Sequence, residues 1–550
     1  MARTVRRRRG ERGISLVIGT ASLLVIIPMV GLAIDAGYLY ACKSRLQSAV
    51  DGAALAAARA LNLGQTTAAQ AANARQNAVN WFYSDFPPGN WATSNTQMDS
   101  ASVQVFDSPA NPNLRNVTVT ATTTVPTYFM RWLNFNSTVI TSTGNASRRD
   151  AVIMLVLDRS GSMATGGACD AMKNAAKLFV GQFAVGRDRI GLLSFSDGSY
   201  LHTKPRTDFQ TTLGYSNSFG SGNGMIDTID CQGGTGSAQA IAEAYNELYK
   251  MNLPGALNLI LFESDGLPNT LTLNWWDGAE PSGTNPNPTG TFGFSNINGC
   301  QDSTGQSKSG GGWDTNQYSD HRDWVPTHPM NSDGVGFIPD IPAGTIGALY
   351  SSDPGAGRYF YALFNPYHPN GNYGGHYIDS NWNTPNCRFN SGYHQDVSDF
   401  LWMPLTDVFG NQLNPTNAYQ PVQVSGGHVR FDTGWSTTQR WNNYHAGALN
   451  ATDNAAYRAR TNPNLPVYMF VIGLGGQGTD PPDYTLMQRI ANDPRGDSFN
   501  TPPLYGTCAS NPDCVNYTDQ PQGNFVFSTN QSQLNQAFLQ LSSQILRLSQ

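Results

Sequence analysis

Asp158, Ser160 and Ser162 set one carboxylate and two hydroxyls at alternate positions, with Gly161 between the serines to let the chain turn. Hard, oxygen-only ligation of this kind suits Mg²⁺, which keeps several waters and asks for few protein groups. Asp-x-Ser-x-Ser alone arises often by chance, and alone it favours a polar turn after a strand. Two further segments change that balance. Thr235, in Gly233-Gly234-Thr235-Gly236-Ser237, offers a third hydroxyl, and Asp265, in Ser264-Asp265-Gly266, offers a second carboxylate.

Bringing such groups together is the work of the elements around them. The uninterrupted apolar run Ala151–Leu157 before Asp158 reads as a strand buried on both faces, as in a parallel sheet. Leu257–Phe262 reads the same way and runs into the Asp265 loop. Both carboxylates then stand at the carboxyl ends of strands, where open α/β sheets place their ligands. Ser237–Tyr249 is the helix behind Thr235. Met172–Phe183, Tyr444–Arg458, Tyr484–Ile490 and Leu534–Leu548 read as further helices, the last with a stripe of Leu534, Phe538, Leu541, Ile545 and Leu548. Arg189–Phe195, Val467–Gly473 and Phe525–Phe527 read as strands, and Tyr200–Thr203 as a short edge strand. This alternation predicts an α/β fold, a doubly wound and mainly parallel sheet, over 149–265 and 440–550.

The order DxSxS, then Gly-Thr, then Ser-Asp-Gly after a strand resembles the von Willebrand factor A domain and its metal-ion-dependent adhesion site. The resemblance implies a divalent cation, Mg²⁺ with Mn²⁺ or Ca²⁺ as alternatives, held by Asp158, Ser160, Ser162, Thr235 and Asp265. In that family the serines and the threonine contact the metal directly or through water. The aspartates act mainly through water or through hydrogen bonds to the ligands. The implied role is protein recognition, in which a partner's Asp or Glu completes the metal's shell.

Residues 266–439 interrupt the domain, a span far longer than an ordinary connection. It is rich in Gly, Asn, Pro and aromatics, including Trp275, Trp276, Trp313, Trp324, Trp382, Trp402 and Trp435, which argues for an irregular folded subdomain. It enters after a metal-loop carboxylate and leaves before a helix that begins on the same face. Both of its ends are therefore expected at the metal side of the sheet.

The start of the chain is of another kind. Arg3, Arg6, Arg7, Arg8, Arg9 and Arg12 crowd residues 1–13, offset by Glu11 alone, and the net charge of −6 leaves the rest mildly acidic. That balance excludes a nucleic-acid-binding body. Ile14–Ile34 is an apolar run without a charge, long enough to span a bilayer as a helix, and Pro28 within it is tolerable there. The arginines before it place the amino end in the cytoplasm and the bulk in the periplasm or outside the cell, a single-pass bacterial inner or cytoplasmic membrane protein. A cleaved signal peptide is the alternative, with the small residues Ala33 and Ala36 near the end of the run.

Tyr38–Leu63 continues as a helix whose Leu39, Leu46, Val50, Ala53, Ala57 and Leu61 share a face. This alanine-rich face suits a second helix or the protein's own strands. Ile34-Asp35-Ala36-Gly37-Tyr38-Leu39-Tyr40, with Leu46 to Ala58, resembles the amino-terminal region of TadG-like proteins of the Tad/Flp pilus system. Such chains often carry a von Willebrand A domain downstream. Gly13-Ile14 is similar to a prepilin cleavage point, but Ile18 stands where pilins have glutamate, so processing as a major pilin is not expected. Val103–Phe106, Val117–Val125 and Val139–Ser147 read as strands, with turns at Pro87-Pro88 and Asn111-Pro112-Asn113, making 35–148 a pilin-like helix with a small sheet.

Of seven cysteines, Cys42 lies just past the membrane and six lie beyond it, consistent with an oxidising compartment. Proximity suggests Cys508–Cys514, Cys300–Cys387 and Cys169–Cys231, with free buried thiols as the alternative. No Cys or His spacing fits zinc, and His321, His328, His368, His376, His394 and His428 are scattered.

Three functional classes follow. The first is a membrane-anchored, metal-dependent protein-binding component of Tad/Flp-type pilus assembly or adhesion, with pilus or secretion components as partners. The second is a surface adhesin whose aromatic insertion stacks on glycan or a host surface. The third is a metal-dependent hydrolase. No recognised motif sets a histidine base beside Ser160 or Ser162, and the first loop lacks a second acid two residues after an aspartyl nucleophile, so a non-catalytic role is expected.

Overall fold

The computed structural model describes residues 11–196, 199–214, 224–273 apart from 230, 232 and 233, short strands within 300–377, residues 402–430 apart from 408 and 417, and residues 437–475, 482–496 and 520–549. The chain divides into two compact units at Arg149/Asp150.

In the first unit, helix α1 runs Glu11–Ala60 without a break, through Pro28 and past Asp35. It is the one helix among the described residues long and apolar enough to cross a membrane. Beyond Asp35 its apolar stripe is covered: Leu46, Val50, Ala53, Ala57 and Leu61 are buried. A second helix, α2 (Thr67–Asp85), packs on it through Ala74, Ala78 and Phe82. Sequence reading passed over α2, although Thr66 caps it by accepting from Ala69 N at 3.2 Å, and Gln70, Ala74, Ala78 and Phe82 recur at four-residue spacing.

Four strands complete this unit: β1 (Ser94–Gln97), β2 (Val103–Ser108), β3 (Asn111–Pro126) and β4 (Ser137–Arg149). All pair antiparallel with β3. Along β3, Val117, Val119, Ala121, Thr123 and Val125 are buried and their neighbours half-exposed, the expected period of two. Asn111-Pro112-Asn113, expected as a turn, instead opens this strand. The hairpin turns just before it, and Ser108 pairs with Asn111. The alanine face of α1 thus meets both of its foreseen neighbours, a helix and the strands behind it.

The second unit is an α/β domain. Its elements are β5 (Ala151–Asp158), α3 (Ala168–Val180), β6 (Arg189–Phe195), β7 (Ser199–Arg206), α4 (Ser237–Met251), β8 (Leu257–Ser264), α5 (Thr437–Thr461), β9 (Tyr468–Leu474), α6 (Tyr484–Ala491), β10 (Asn524–Ser528) and α7 (Gln531–Leu548). The sheet order is β10-β9-β8-β5-β6-β7, parallel except for β7, which returns antiparallel along β6. The expected edge strand at Tyr200–Thr203 is therefore longer and of opposite sense.

Strand β5 is buried along its whole length because both faces are covered. Val152, Met154 and Val156 join Tyr245 and Leu248 of α4, Ala455 of α5 and Leu486 of α6 in one core. Ile153, Leu155 and Leu157 join Phe179 of α3 and Phe538 of α7 in the other, where those two rings meet edge-on at 6.0 Å. Each buried aliphatic side chain here contributes roughly 1.5–3 kcal/mol. The central pair β5–β8 is thereby held rigidly, with Leu157 opposite Glu263.

The long interruption is described in part. Thr272–Leu273 pairs with Gly347–Asp353, which pairs with Arg358–Asn365. Residues 402–430 dock on α5: Asn450 Nδ2 donates to Leu413 O and Gln420 O, and Asn443 Nδ2 to Arg430 O. Asn411 Nδ2 reaches Ala238 O in the first turn of α4, at 3.4 Å. Trp275, Trp276, Trp313, Trp324, Trp382 and Trp435 lie outside the described residues, as do Cys387, Cys508 and Cys514 and hence two of the three expected disulfides. The third, Cys169–Cys231, is formed, and Cys42 is a free, buried thiol.

Candidate metal centre

Three loops at the carboxyl edge of the sheet meet. The first leaves β5 at Asp158, whose carboxylate turns back to accept from Ser160 N at 2.7 Å and so holds the Asp-x-Ser turn closed. Arg159 N donates to Phe195 O at the end of β6, at 2.8 Å. Gly166 and Gly167, both at positive φ, then carry the chain into α3.

The second loop leaves β8. Ser264 Oγ donates to Asp158 Oδ2, tying adjacent strand ends together. Asp265 Oδ1 accepts from Ser162 Oγ at 2.7 Å and from Ser160 Oγ at 3.3 Å, and the two serine oxygens lie 3.0 Å apart. The third loop carries Thr235 in front of α4. Thr235 N donates to Asn269 Oδ1 at 2.7 Å, Asn269 N donates back to Thr235 O at 3.1 Å, and Gly236 N donates to Ser196 O beyond β6 at 2.6 Å. A Cβ placed on Gly266 would stand 3.4 Å from Thr235 Oγ1 and 3.8 Å from Ser162 Oγ. Ser160, Ser162, Thr235 and Asp265 therefore border one small space, with Asp158 buried behind them.

Three carboxylates gather in this corner. Asp158, Glu263 and Asp265 are each fully buried. Burial lifts the Asp158 carboxyl to about 6, opposed by hydrogen bonds from Ser264 and Ser160. Burial and then the charge of Asp158 lift Asp265 to about 7. Glu263, whose Oε2 accepts from Asp158 N at 3.3 Å, is driven well above the usual carboxylate range by burial and by both aspartates.

Among the described residues no group of three or more His, Cys, Asp or Glu side chains is placed to hold a metal ion. The expected set is of a different make, three hydroxyls with two carboxylates, and it fits a hard cation on two observations. Asp265 Oδ2 is buried without a hydrogen-bond partner. Every donor around it is oxygen, the hard ligation a divalent cation such as Mg²⁺ takes.

Of the expected site residues, Ser160, Ser162 and Asp265 are in direct contact, Asp158 orients Ser160, and Thr235 faces them across Gly266. Sequence reading missed Ser264, Glu263 and Asn269. Glu263 had a signal, a lone charge directly after the apolar run Leu257–Phe262. Asn269 had none, because its role depends on a loop returning to Thr235. The disulfide joins Cys169 at the start of α3 to Cys231 just before Thr235, so it clamps the first loop to the third.

Comparison with known proteins agrees with both parts of the chain. Residues 153–267 match the von Willebrand factor type A domain family, and residues 13–60 match the Flp pilus-assembly TadE/G-like family. The chain thus has a TadE/G-like amino-terminal region and a von Willebrand A-like domain after it. No curated protein matches. Among solved structures, the pilus adhesin SpaC from Lactobacillus rhamnosus GG is 12% identical over 81% of this chain and 36% of its own, with a TM-score of 0.31. This chain therefore spans little more than a third of SpaC. The PilB minor pilin from Streptococcus sanguinis is 10% identical over 84% of this chain and 80% of its own, TM-score 0.31. The vWF domain of the type V pili tip protein Mfa5 from Porphyromonas gingivalis is 14% identical over 74% of this chain and 98% of its own, TM-score 0.31.

Proposed function

We propose that this chain is a membrane-anchored protein-binding component of a Tad/Flp-type pilus assembly or adhesion system, and that its A-like domain recognises a partner through a divalent cation. The observation that carries the reading is the convergence of Ser160, Ser162 and Asp265, within 3.3 Å of one another, in front of Thr235. Ser160, Ser162 and Thr235 would hold the cation, Mg²⁺ by choice and Mn²⁺ or Ca²⁺ by substitution, with Asp158 and Asp265 behind them.

Three of these donors are neutral hydroxyls with the carboxylates behind them, so the cation would keep a position open to water or to an outside ligand. When bound, the cation supplies a Lewis-acidic position for an Asp or Glu carboxylate of the partner. The chain's own part is to fix the hydroxyls, to hold the carboxylates behind them by hydrogen bonds, and to present the site at the sheet edge. Binding rather than catalysis is the role this supports: the hydroxyls of Ser160 and Ser162 bond to each other and to Asp265, the carboxylate that would stand behind the cation.

The test is crosslinking in native membranes followed by identification of what co-purifies, with Mg²⁺ and with a chelator. Adducts to pilus or secretion components that disappear with the chelator and in Ser162→Ala support the proposal. Adducts that survive both treatments overturn the metal-bridged mode.

A further inference from the structure

The loop between β3 and β4 reads Tyr128-Phe129-Met130-Arg131-Trp132-Leu133-Asn134-Phe135. Trp132 is 87% exposed, Leu133 69% and Phe135 61%, and Tyr128 and Phe129 are also exposed. A contiguous apolar surface of this kind marks an interaction site. The loop is nevertheless well built. Thr127 N donates to Asn136 O, Trp132 N to Phe129 O and Phe135 N to Met130 O, each at 3.1 Å, and Asn134 at φ 66 ends the short turn Met130–Leu133. Its apolar side chains are held outward rather than collapsed.

Two contacts set its position along α1. The buried Asp35 carboxylate accepts from Tyr128 N at 2.9 Å, Phe129 N at 2.9 Å and Met130 N at 2.7 Å. One turn earlier, a Cβ on Gly31 would stand 2.6 Å from the Phe129 ring, so that ring lies against bare helix backbone. Gly31 is inside the apolar run Ile14–Ile34, about 4.5 Å of helix rise before its end. The loop therefore folds back to the level at which the helix leaves its apolar stretch.

We propose that this loop is a membrane-interface anchor, in which Trp132, Leu133 and Phe135 enter the headgroup–acyl boundary of the leaflet that α1 leaves. The proposal rests on reading Ile14–Ile34 as membrane-spanning. Lipid, rather than a protein, is the occupant because the apolar surface is continuous with that span through Gly31 and Phe129. Tryptophan and other aromatics favour this boundary, and apolar side chains there sink roughly 5–10 Å. Arg131, exposed beside Trp132, stands where it can meet lipid phosphate. Clamped by Asp35, the loop would set the depth and tilt at which the helix exits.

The experiment places a photo-crosslinking benzophenone amino acid, one site at a time, at Trp132, Leu133, Ile26 and Gln76 of the full chain. The chain is reconstituted in vesicles of phosphatidylethanolamine and phosphatidylglycerol. All four positions are exposed, so the probe leaves the fold intact. Lipid adducts at Trp132 and Leu133 comparable with those at Ile26, and none at Gln76, are expected. Adducts at Ile26 alone overturn the anchor and leave the span standing. No lipid adduct at any position overturns the span as well. Adducts of Trp132 to a second copy of the protein overturn the anchor in favour of a protein contact.

Discussion

At the scale of single residues, the buried carboxylates of the proposed site carry a cost in stability. Asp158 and Asp265 are lifted to about 6 and about 7, whereas in the unfolded chain aspartates titrate near 4. For an acid raised on folding, stability is full below the unfolded value and is lost as pH rises through the folded one. The metal-free protein is therefore expected to melt at lower temperature as pH rises from about 4 to about 7. Cation binding needs the ionised carboxylates, so the gain in melting temperature on adding Mg²⁺ should be small at pH 5 and larger at pH 8. Calorimetry with Mg²⁺ and with chelator at both pH values checks this, and a gain independent of pH would refute it. Asp265→Asn removes the charge while keeping the shape. It should stabilise the metal-free protein at pH 8 by on the order of 2 kcal/mol and abolish the Mg²⁺-dependent gain. A variant that is less stable and still responds to Mg²⁺ would contradict the assignment.

At the scale of elements, what holds the loops together is partly covalent. The Cys169–Cys231 bond closes a separation of 62 residues between the first and third loops. The chain-entropy model gives such a closure about 4 kcal/mol. The double variant Cys169→Ser, Cys231→Ser should therefore melt lower, and its Mg²⁺ affinity, read by titration calorimetry, should fall as Thr235 loses its fixed distance from Ser162. Unchanged affinity would show that Asn269 and Ser196 suffice to place the third loop. Phe538→Ala, in the same layer as the disulfide, should cost about 3–5 kcal/mol without altering metal affinity in the folded fraction, because it opens a cavity against Phe179 and removes no bond that places a loop.

The contrast also shows what was legible beforehand. Strands β5 and β8 were plain because both faces are buried and their apolar runs carry almost to the strand ends. The buried stripe of α7 was legible for the same reason, a local pattern with one meaning, whereas the meeting of Ser160, Ser162 and Asp265 was expected only from the order of three separated segments. Helix α2 escaped because its buried face is Gln70, two alanines and Phe82, without the large aliphatic residues that announce a core. The sense of β7 escaped because direction is set by the short connection from β6 rather than by composition. Asn269 escaped because its partner, Thr235, is 34 residues away.

At the scale of the whole molecule, sidedness decides whether the site can meet its partner. The arginines of residues 1–13 and the apolar run after them favour an amino end in the cytoplasm. A compartment in which the Cys169–Cys231 bond persists is an oxidising one, so the proposed orientation puts the A-like domain outside the cytoplasm. Both follow from a single crossing. Alkaline phosphatase, active only outside the cytoplasm, fused after Gln550 should therefore be active in cells, and a fusion before Met1 should be inactive. Replacing Arg6, Arg7, Arg8 and Arg9 by alanine leaves Arg3 and Arg12 before the span, matched by Lys43 and Arg45 soon after it. That should lower the activity of the first fusion by inverting part of the population, since the charge difference across the span then nearly vanishes. If the wild-type fusion were inactive, the disulfide would stand in a reducing compartment and the domain would face cytoplasmic partners. The recognition proposed for Asp158, Ser160, Ser162, Thr235 and Asp265 would then have to be sought inside the cell, with its chemistry unchanged.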